Sequence, residues 1–136
     1  MSERRSQILI IEDDEYSREA LEYVLKAEGY DTISAAEGRA GYRRACQSPP
    51  DVVVIDLRLP DVDGQRLIRV FRRNRKLRHV PILIVTGFSQ EDLPSVQELG
   101  ADRCLTKPVA LEDYVRTVRD LTKMKDQAHR PRTVSR

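Results

Sequence analysis

The sequence predicts an α/β fold in which five parallel strands alternate with five helices, wound on both faces of one sheet. Short apolar runs recur along the chain and are separated by longer amphipathic segments. The runs are continuous and do not alternate between apolar and polar residues, which is typical of strands buried on both faces. Right-handed crossovers then restrict the topology to a doubly wound sheet, for which we expect the strand order 2-1-3-4-5.

Composition and length are those of one globular domain. The chain has 136 residues, of which 40% are hydrophobic and 34% charged. No apolar run approaches the ~20 residues of a membrane-spanning helix, and the start of the chain lacks the pattern of a signal peptide. The cysteines, Cys46 and Cys104, lack metal-ligand spacing. We therefore expect a cytoplasmic protein with reduced thiols and no membrane partner.

The first two strand–helix units occupy the start of the chain. Residues 7–11, QILII, form the first predicted strand, and residues 15–28 form an amphipathic helix that ends at Gly29. Residues 31–35 are a weaker strand, which we expect near an edge of the sheet. Residues 37–47 are predicted to form the second helix.

The middle of the chain supplies the most apolar strand. Residues 52–55, VVVI, form it, and a helix follows at residues 64–76. Asp61 and Asp63 are expected to serve the turn and the start of that helix. Residues 81–86, PILIVT, form the fourth strand.

The last predicted elements are shorter or more polar. A short helix is expected at residues 93–99 with Asp92 as its cap. A strand at residues 103–106 and a helix at residues 110–124 complete the domain.

The domain is therefore assigned to residues 7–123, after an N-terminal tail of residues 1–6. Residues 124–136 are basic and show no apolar period, and we predict a disordered tail there.

Charged and hydroxyl side chains lie at the ends of four predicted strands. Glu12 and Asp13 follow the first strand, Asp56 follows the third, Thr86 ends the fourth, and Lys107 follows the fifth. Ligands of open parallel sheets bind at this edge, where the winding reverses. Clustered carboxylates repel one another, and a hard cation such as Mg²⁺ relieves that repulsion. The pattern predicts a Mg²⁺ site beside an anionic phosphoryl group, with Asp56 as the acceptor.

Four motifs in this order and spacing resemble the receiver domain of two-component response regulators: LIIEDDE, VVVIDLRLPDVDG, ILIVTG and CLTKP. The resemblance covers about residues 7–123 and implies a flavodoxin-like fold. It also implies that a histidine kinase or a histidine phosphotransfer protein phosphorylates Asp56 in the presence of Mg²⁺. The chain would be no enzyme beyond promoting its own phosphorylation and dephosphorylation.

The same resemblance implies roles for individual residues. The peptide bond between Lys107 and Pro108 is expected to be cis. The groups expected to contact the phosphoryl oxygens are Thr86 and Lys107. The metal ligands implied are Glu12, Asp13, Asp56 and the backbone carbonyl of Arg58.

Three positions depart from the family's pattern. Cys104 stands where receivers usually carry an aromatic side chain that moves inward with the threonine, so the usual switch is in doubt. Arg58 and Phe88 flank the route of water to an aspartyl phosphate, and we expect them to slow its hydrolysis. Gly87 replaces a more usual alanine and loosens its loop.

Residues 66–78 carry seven basic side chains and no acid. This segment is either a solvated helix face or a docking surface for an acidic partner or a phosphate backbone. No aromatic residues are interleaved as a base-stacking platform, which weighs against nucleic acid.

The sequence thus favours a stand-alone receiver, monomeric or weakly dimeric, whose output passes through a partner protein. One alternative is a receiver cut from a longer hybrid kinase or DNA-binding regulator. Another is a binding module that uses residues 66–78 without phosphorylation. A phosphatase with an aspartyl nucleophile is disfavoured because Arg58 occupies the position of its general acid.

Overall fold

The computed structural model describes residues 4–129 of the chain. Within this range, parallel strands form one sheet in the order β2-β1-β3-β4-β5. The predicted fold class and strand order are therefore confirmed. The strands are β1 (Gln7–Ile11), β2 (Asp31–Ala35), β3 (Val52–Asp56), β4 (Ile82–Thr86) and β5 (Arg103–Thr106). The helices are α1 (Glu15–Ala27), α2 (Gly38–Gln47), α3 (Gly64–Arg73), α4 (Val96–Leu99) and α5 (Leu111–His129).

Side chains of the sheet pack into two apolar layers, one on each face. Every residue of the central strands β3 and β4 is buried, whereas β2 is partly exposed, as expected for an edge strand. One layer packs against α2, α3 and α4 and contains the fully buried Phe71. The other packs against α1 and α5 and contains Leu25 and Val118. These layers fix the strand ends, from which the functional loops emerge.

The fourth helix begins later than the predicted range of residues 93–99. It spans Val96–Leu99, and Ser95 caps it by accepting a hydrogen bond from the backbone N–H of Glu98. The Glu98 side chain accepts the Ser95 N–H in return, which completes a capping box. Asp92, the predicted cap, lies instead in a 3₁₀ turn. The Ser-x-x-Glu signal was present in the sequence and outweighs the isolated aspartate.

Two other helix ends differ from the pattern. The third helix stops at Arg73 because Asn74 accepts the backbone N–H of Lys76 on its side-chain oxygen, which turns the chain. The last helix continues to His129, five residues beyond the predicted end at residue 124, and the disorder predicted for the tail stays a prediction. Lys125 lies within that extension, and its ammonium donates a hydrogen bond of 3.2 Å to the carbonyl of Pro50. Residues 130–136 lie outside the described range.

Among residues 4–129, none of the helices combines the length and apolarity that a bilayer-spanning segment needs.

Candidate functional site

The predicted acidic residues converge at the carboxyl ends of β1 and β3. Glu12 follows β1 directly and Asp56 is the last residue of β3; they are only 7% and 6% exposed. Asp13 is exposed to solvent beside them. One carboxylate oxygen from each of the three lies within 4.8 Å of the others. The loops therefore build one acidic cluster at the point where the winding of the sheet reverses.

Lys107 supplies the counter-charge inside the cluster. Its ammonium lies 2.8 Å from a carboxylate oxygen of Glu12 and 2.9 Å from one of Asp56. The peptide bond between Lys107 and Pro108 is cis, as expected. The backbone N–H of Lys107 also donates to the carbonyl of Thr86 at 2.7 Å. The β5–α5 loop is thus attached to the end of β4, and the lysine is held over both acids.

The other oxygens of the two buried acids are also hydrogen-bonded. The backbone N–H of Asp14 donates to Glu12 at 3.1 Å, and that of Arg58 donates to Asp56 at 3.0 Å. Among the described residues, no buried side-chain polar atom lacks a partner. Each carboxylate is therefore held in a fixed orientation by one ammonium and one backbone donor.

Burial and charge act together on the titration of this cluster. Desolvation raises the pKa of Glu12 above its ordinary value, although the hydrogen bond from Lys107 opposes that rise. Desolvation lowers the pKa of Lys107, but the hydrogen bonds to Glu12 and Asp56 outweigh it and raise that pKa well above the ordinary value. Lys107 is therefore a permanent cation at neutral pH.

A tight turn positions Asp56. An added Cβ on Gly64 would lie 2.6 Å from the Cα of Leu57 and 2.9 Å from the carbonyl oxygen of Asp56, so only glycine fits there. The Gly64 N–H donates to the carbonyl of Leu57 at 3.0 Å. Asp63, as predicted, caps α3 by accepting the N–H of Gln65. The turn brings the start of α3 directly against the end of β3.

Asp61 does not serve that turn, contrary to the prediction. Its carboxylate accepts the backbone N–H groups of Gly38 at 2.8 Å and Arg39 at 3.0 Å, at the start of α2. Desolvation opposes these hydrogen bonds, but they hold the pKa of Asp61 below its usual range. The β3–α3 loop is therefore tied to a second helix, which local sequence could not indicate.

Sequence reasoning also missed Arg18, a residue of α1. Its guanidinium donates to the carbonyl of Glu12 at 2.8 Å and to that of Asp13 at 3.4 Å. Arg18 therefore stabilises the loop after β1 through its backbone carbonyls and not through the carboxylates of Glu12 and Asp13. No sequence pattern marks this role, because it depends on the path of the loop.

Arg58 and Phe88 stack on each other beside the cluster. The guanidinium carbon of Arg58 lies 4.2 Å from the centroid of the Phe88 ring, which is cation–π geometry. Thr86, which is fully buried, accepts the backbone N–H of Phe88 on its hydroxyl at 3.1 Å. We call the stacked side chains of Arg58 and Phe88 the Arg58–Phe88 pair. It joins the loop after β3 to the loop after β4.

Cys104 lies in β5, in register with Ile84 of β4. It packs against the layer that contains α3 and α4, and it borders a small cavity of about 70 Å³ lined by α4 and the segment before it. Burial raises the pKa of its thiol. The small thiol leaves space unfilled at the position where receivers usually carry an aromatic side chain.

The basic segment at residues 66–78 does not form one continuous face. Arg72 is partly buried, and its guanidinium donates to the carbonyls of Gly100 at 2.7 Å and Val80 at 2.6 Å. It also pairs with Asp102 at 3.1 Å. Arg72 therefore joins α3 to the start of β5 and is not available for docking. The exposed basic residues of the segment are Arg66, Arg69, Arg73, Arg75, Lys76 and Arg78.

His79 is exposed, as predicted; the side chain of His129 lies outside the described part.

Comparison with known proteins identifies the family. The sequence model of the response regulator receiver family matches residues 8–119 of this chain. The chain belongs to the response regulator receiver family. Receiver domains are signalling domains of two-component systems rather than conventional enzymes.

Relatives of this receiver include both single-domain and longer proteins. It is 26% identical over 113 residues to the polar-differentiation response regulator DivK of Brucella ovis, covering 82% of this chain and 92% of DivK. It is 35% identical over 122 residues to the DNA-binding dual master transcriptional regulator RpaA of Synechocystis sp., covering 89% of this chain. The receiver spans only about half of RpaA, 51% of its length.

A solved receiver domain of a sensor histidine kinase from Pseudomonas aeruginosa is similar in structure. The two share 27% identity with a TM-score of 0.81, covering 88% of this chain and 99% of that one. That structure has a magnesium ion coordinated in its active-site cleft. The carboxylates of Glu12, Asp13 and Asp56 are hard oxygen donors of the kind Mg²⁺ takes, so the residues present fit such an ion.

Proposed function

We propose that this receiver accepts a phosphoryl group on Asp56 from a histidine kinase or a histidine phosphotransfer protein. One observation carries the proposal: the buried carboxylate of Asp56 lies between the ammonium of Lys107 and the backbone N–H of Arg58. A nucleophile must be held in place while the charge of the incoming phosphoryl group is compensated. This arrangement supplies both conditions.

In the proposed transfer, an oxygen of Asp56 forms a bond to phosphorus as the phosphorus–nitrogen bond of the donor phosphohistidine breaks. The donor imidazole leaves and takes up a proton from solvent. Lys107 then pairs with the phosphoryl oxygens, and the buried hydroxyl of Thr86 is a further partner for them. Mg²⁺ held by Glu12, Asp13, Asp56 and the Arg58 carbonyl would neutralise part of the phosphoryl charge.

The donor needs a surface beside Asp56 on which to dock. A groove of about 490 Å³ between α1 and α5 reaches Lys107 and is lined by Leu21, Pro108 and Tyr114. Leu111, predicted in the last helix, is 46% exposed at its rim. A largely apolar groove that ends at Lys107, beside the proposed acceptor Asp56, suits a helical donor domain.

The signal would leave through a protein partner that senses the loaded site. An aspartyl phosphate adds about −1.5 to −2 charges and several acceptor oxygens, enough to bias a two-state surface. Because Cys104 borders a cavity of about 70 Å³, we propose that read-out proceeds without an inward-moving aromatic ring. RpaA is longer than this chain. If this receiver were part of a longer regulator, it would pass the same change to an attached domain.

The test is incubation with Mg²⁺ and a small phosphodonor, followed by intact-mass measurement. We expect the wild type to gain the mass of one phosphoryl group and Asp56→Asn to gain none. Asp61→Asn is the matched control, because Asp61 lies in the same loop yet contacts α2, and it should still be labelled. No mass gain in the wild type, or equal gain in Asp56→Asn, would overturn the proposal.

A further inference from the structure

A second groove lies between α2 and α3, on the opposite face of the sheet from α1 and α5. Its volume is about 470 Å³. Apolar and sulfur-containing side chains form its floor, and Val70 is 38% exposed there, although it is a large apolar residue. The floor residues are Tyr42, Cys46, Val62, Leu67 and Val70. We call this the α2–α3 groove.

The floor of the α2–α3 groove is held in place by the core beneath it. The side-chain amide of Asn74 donates to the hydroxyl of Tyr42 at 2.8 Å and to the sulfur of Cys46 at 3.6 Å. The Tyr42 ring packs edge-on against Phe71, with centroids 5.4 Å apart. A preformed floor lowers the ordering cost of binding, which favours a true docking surface.

The rim of the groove is strongly basic. Arg39 and Arg43 of α2 and Arg66 of α3 line it. The two helices together carry seven arginines and no acid, in a chain whose net charge is only +2. Within residues 4–129, none of the three rim guanidinium groups is within 4.0 Å of a carboxylate. The positive charge is therefore concentrated around an apolar floor.

We propose that the α2–α3 groove binds an acidic amphipathic helix of a partner protein and does not require a phosphoryl group on Asp56 to do so. A third helix fits the space between two neighbouring helices, with apolar side chains at every third or fourth position on the floor. Its acidic side chains would meet the three rim arginines. Nucleic acid is the poorer match, because the one aromatic ring in the floor is engaged by Asn74 and Phe71 and offers no stacking surface.

The probe is a fluorescein-labelled synthetic peptide of about 15 residues, roughly four helical turns, with Leu on one face and Glu on the other. Fluorescence anisotropy is measured with the unphosphorylated full chain. We expect saturable binding that weakens as salt rises. Peptides with Lys for Glu, or with Ser for Leu, should bind about tenfold more weakly.

Paired variants locate the site. Arg43→Glu with Arg66→Glu should weaken binding about tenfold, whereas Arg69→Glu with Arg73→Glu, an equal charge change on exposed positions outside the groove, should change it less than about threefold. Equal losses in the two pairs would overturn the proposal, as would no saturable binding. Asp56→Asn should bind like the wild type, so this test and the labelling test fail separately.

The two cysteines give an internal footprint. Bound peptide should slow alkylation of Cys46, which lies in the floor, and leave the rate of Cys104 unchanged, as read by mass spectrometry. Protection of both or of neither would contradict the location. Preferential binding of a single-stranded oligonucleotide would overturn the proposal in favour of a nucleic-acid partner. Dimerisation of the wild type that is lost in the Arg43→Glu, Arg66→Glu variant would overturn it in favour of a second copy of the chain.

Discussion

The Arg58–Phe88 pair should lengthen the lifetime of the phosphorylated state. Its two residues belong to the loops that follow β3 and β4, and Asp56 at the end of β3 pairs in register with Val85 of β4. On the proposed function, we expect water that attacks an aspartyl phosphate to pass these loops. The guanidinium lies 4.2 Å from the ring centroid, but Arg58 is exposed, so the contact contributes about 0.5–1 kcal/mol.

Without that contact, the loops after β3 and β4 should spend a larger fraction of time apart, and hydrolysis should become faster by the same factor. At about 1.4 kcal/mol per factor of ten, we expect Phe88→Ala to lose its phosphoryl group roughly two to five times faster than the parent. Arg58→Ala keeps the backbone N–H and carbonyl beside Asp56 and should have a similar effect. The double variant should be little faster than either single one, since both remove one contact.

The assay loads each protein from a small phosphodonor, removes the donor, and follows the phosphorylated fraction by intact mass. Phe88→Leu separates ring stacking from bulk: leucine retains much of the bulk but has no ring to stack on, so it should shorten the lifetime as Phe88→Ala does. Thermal melts would show whether a variant has simply loosened the domain. Unchanged lifetimes in Phe88→Ala and Arg58→Ala, or fully additive effects in the double variant, would refute the reasoning.

Three further predictions test other parts of the structure. Arg72→Ala should lower the free energy of unfolding in urea by about 2–4 kcal/mol, because it removes the ion pair with Asp102 and the guanidinium hydrogen bonds to three carbonyls; exposed Arg69→Ala should change it by less than about 0.5 kcal/mol, and equal losses would contradict an inward role for Arg72. Lys107→Met should tighten Mg²⁺ binding roughly fivefold in calorimetric titration, since a competing charge worth about 1 kcal/mol is removed, while phosphoryl labelling falls; weaker Mg²⁺ binding would contradict it. Because burial raises the thiol pKa, alkylation of Cys104 should still accelerate above about pH 9, where an ordinary thiol of pKa about 8.5 levels off; an early plateau would contradict it.

The fold and the acidic cluster could be predicted because both follow from local patterns. Continuous apolar runs mark strands that are buried on both faces, and β3 and β4 are buried throughout. The ends of parallel strands meet at one edge, so Glu12 and Asp56 had to approach each other once the strand order was fixed. Lys107 joined them for the same reason.

The roles of Asp61 and Arg72 could not be predicted, because their partners are distant in the sequence. Asp61 contacts α2, and Arg72 contacts the turn before β5, so each role exists only after helices have packed on the sheet. Identical residue types nearby, Asp63 and Arg73, serve as a local cap and an exposed side chain. Sequence pattern alone does not distinguish the members of such pairs.

The bond between Asp61 and the start of α2 has a consequence for energetic coupling. The loop that begins at Asp56 is tied through Asp61 to α2, and its Val62 forms part of the α2–α3 groove. A ligand in that groove and a phosphoryl group on Asp56 would therefore act on one shared loop. If the phosphoryl group changes the binding free energy of the groove ligand, reciprocity requires that the groove ligand change the free energy of the phosphorylated state by the same amount and with the same sign. A partner that prefers the phosphorylated receiver must then stabilise the phosphorylated state, with no contact to the phosphoryl group itself.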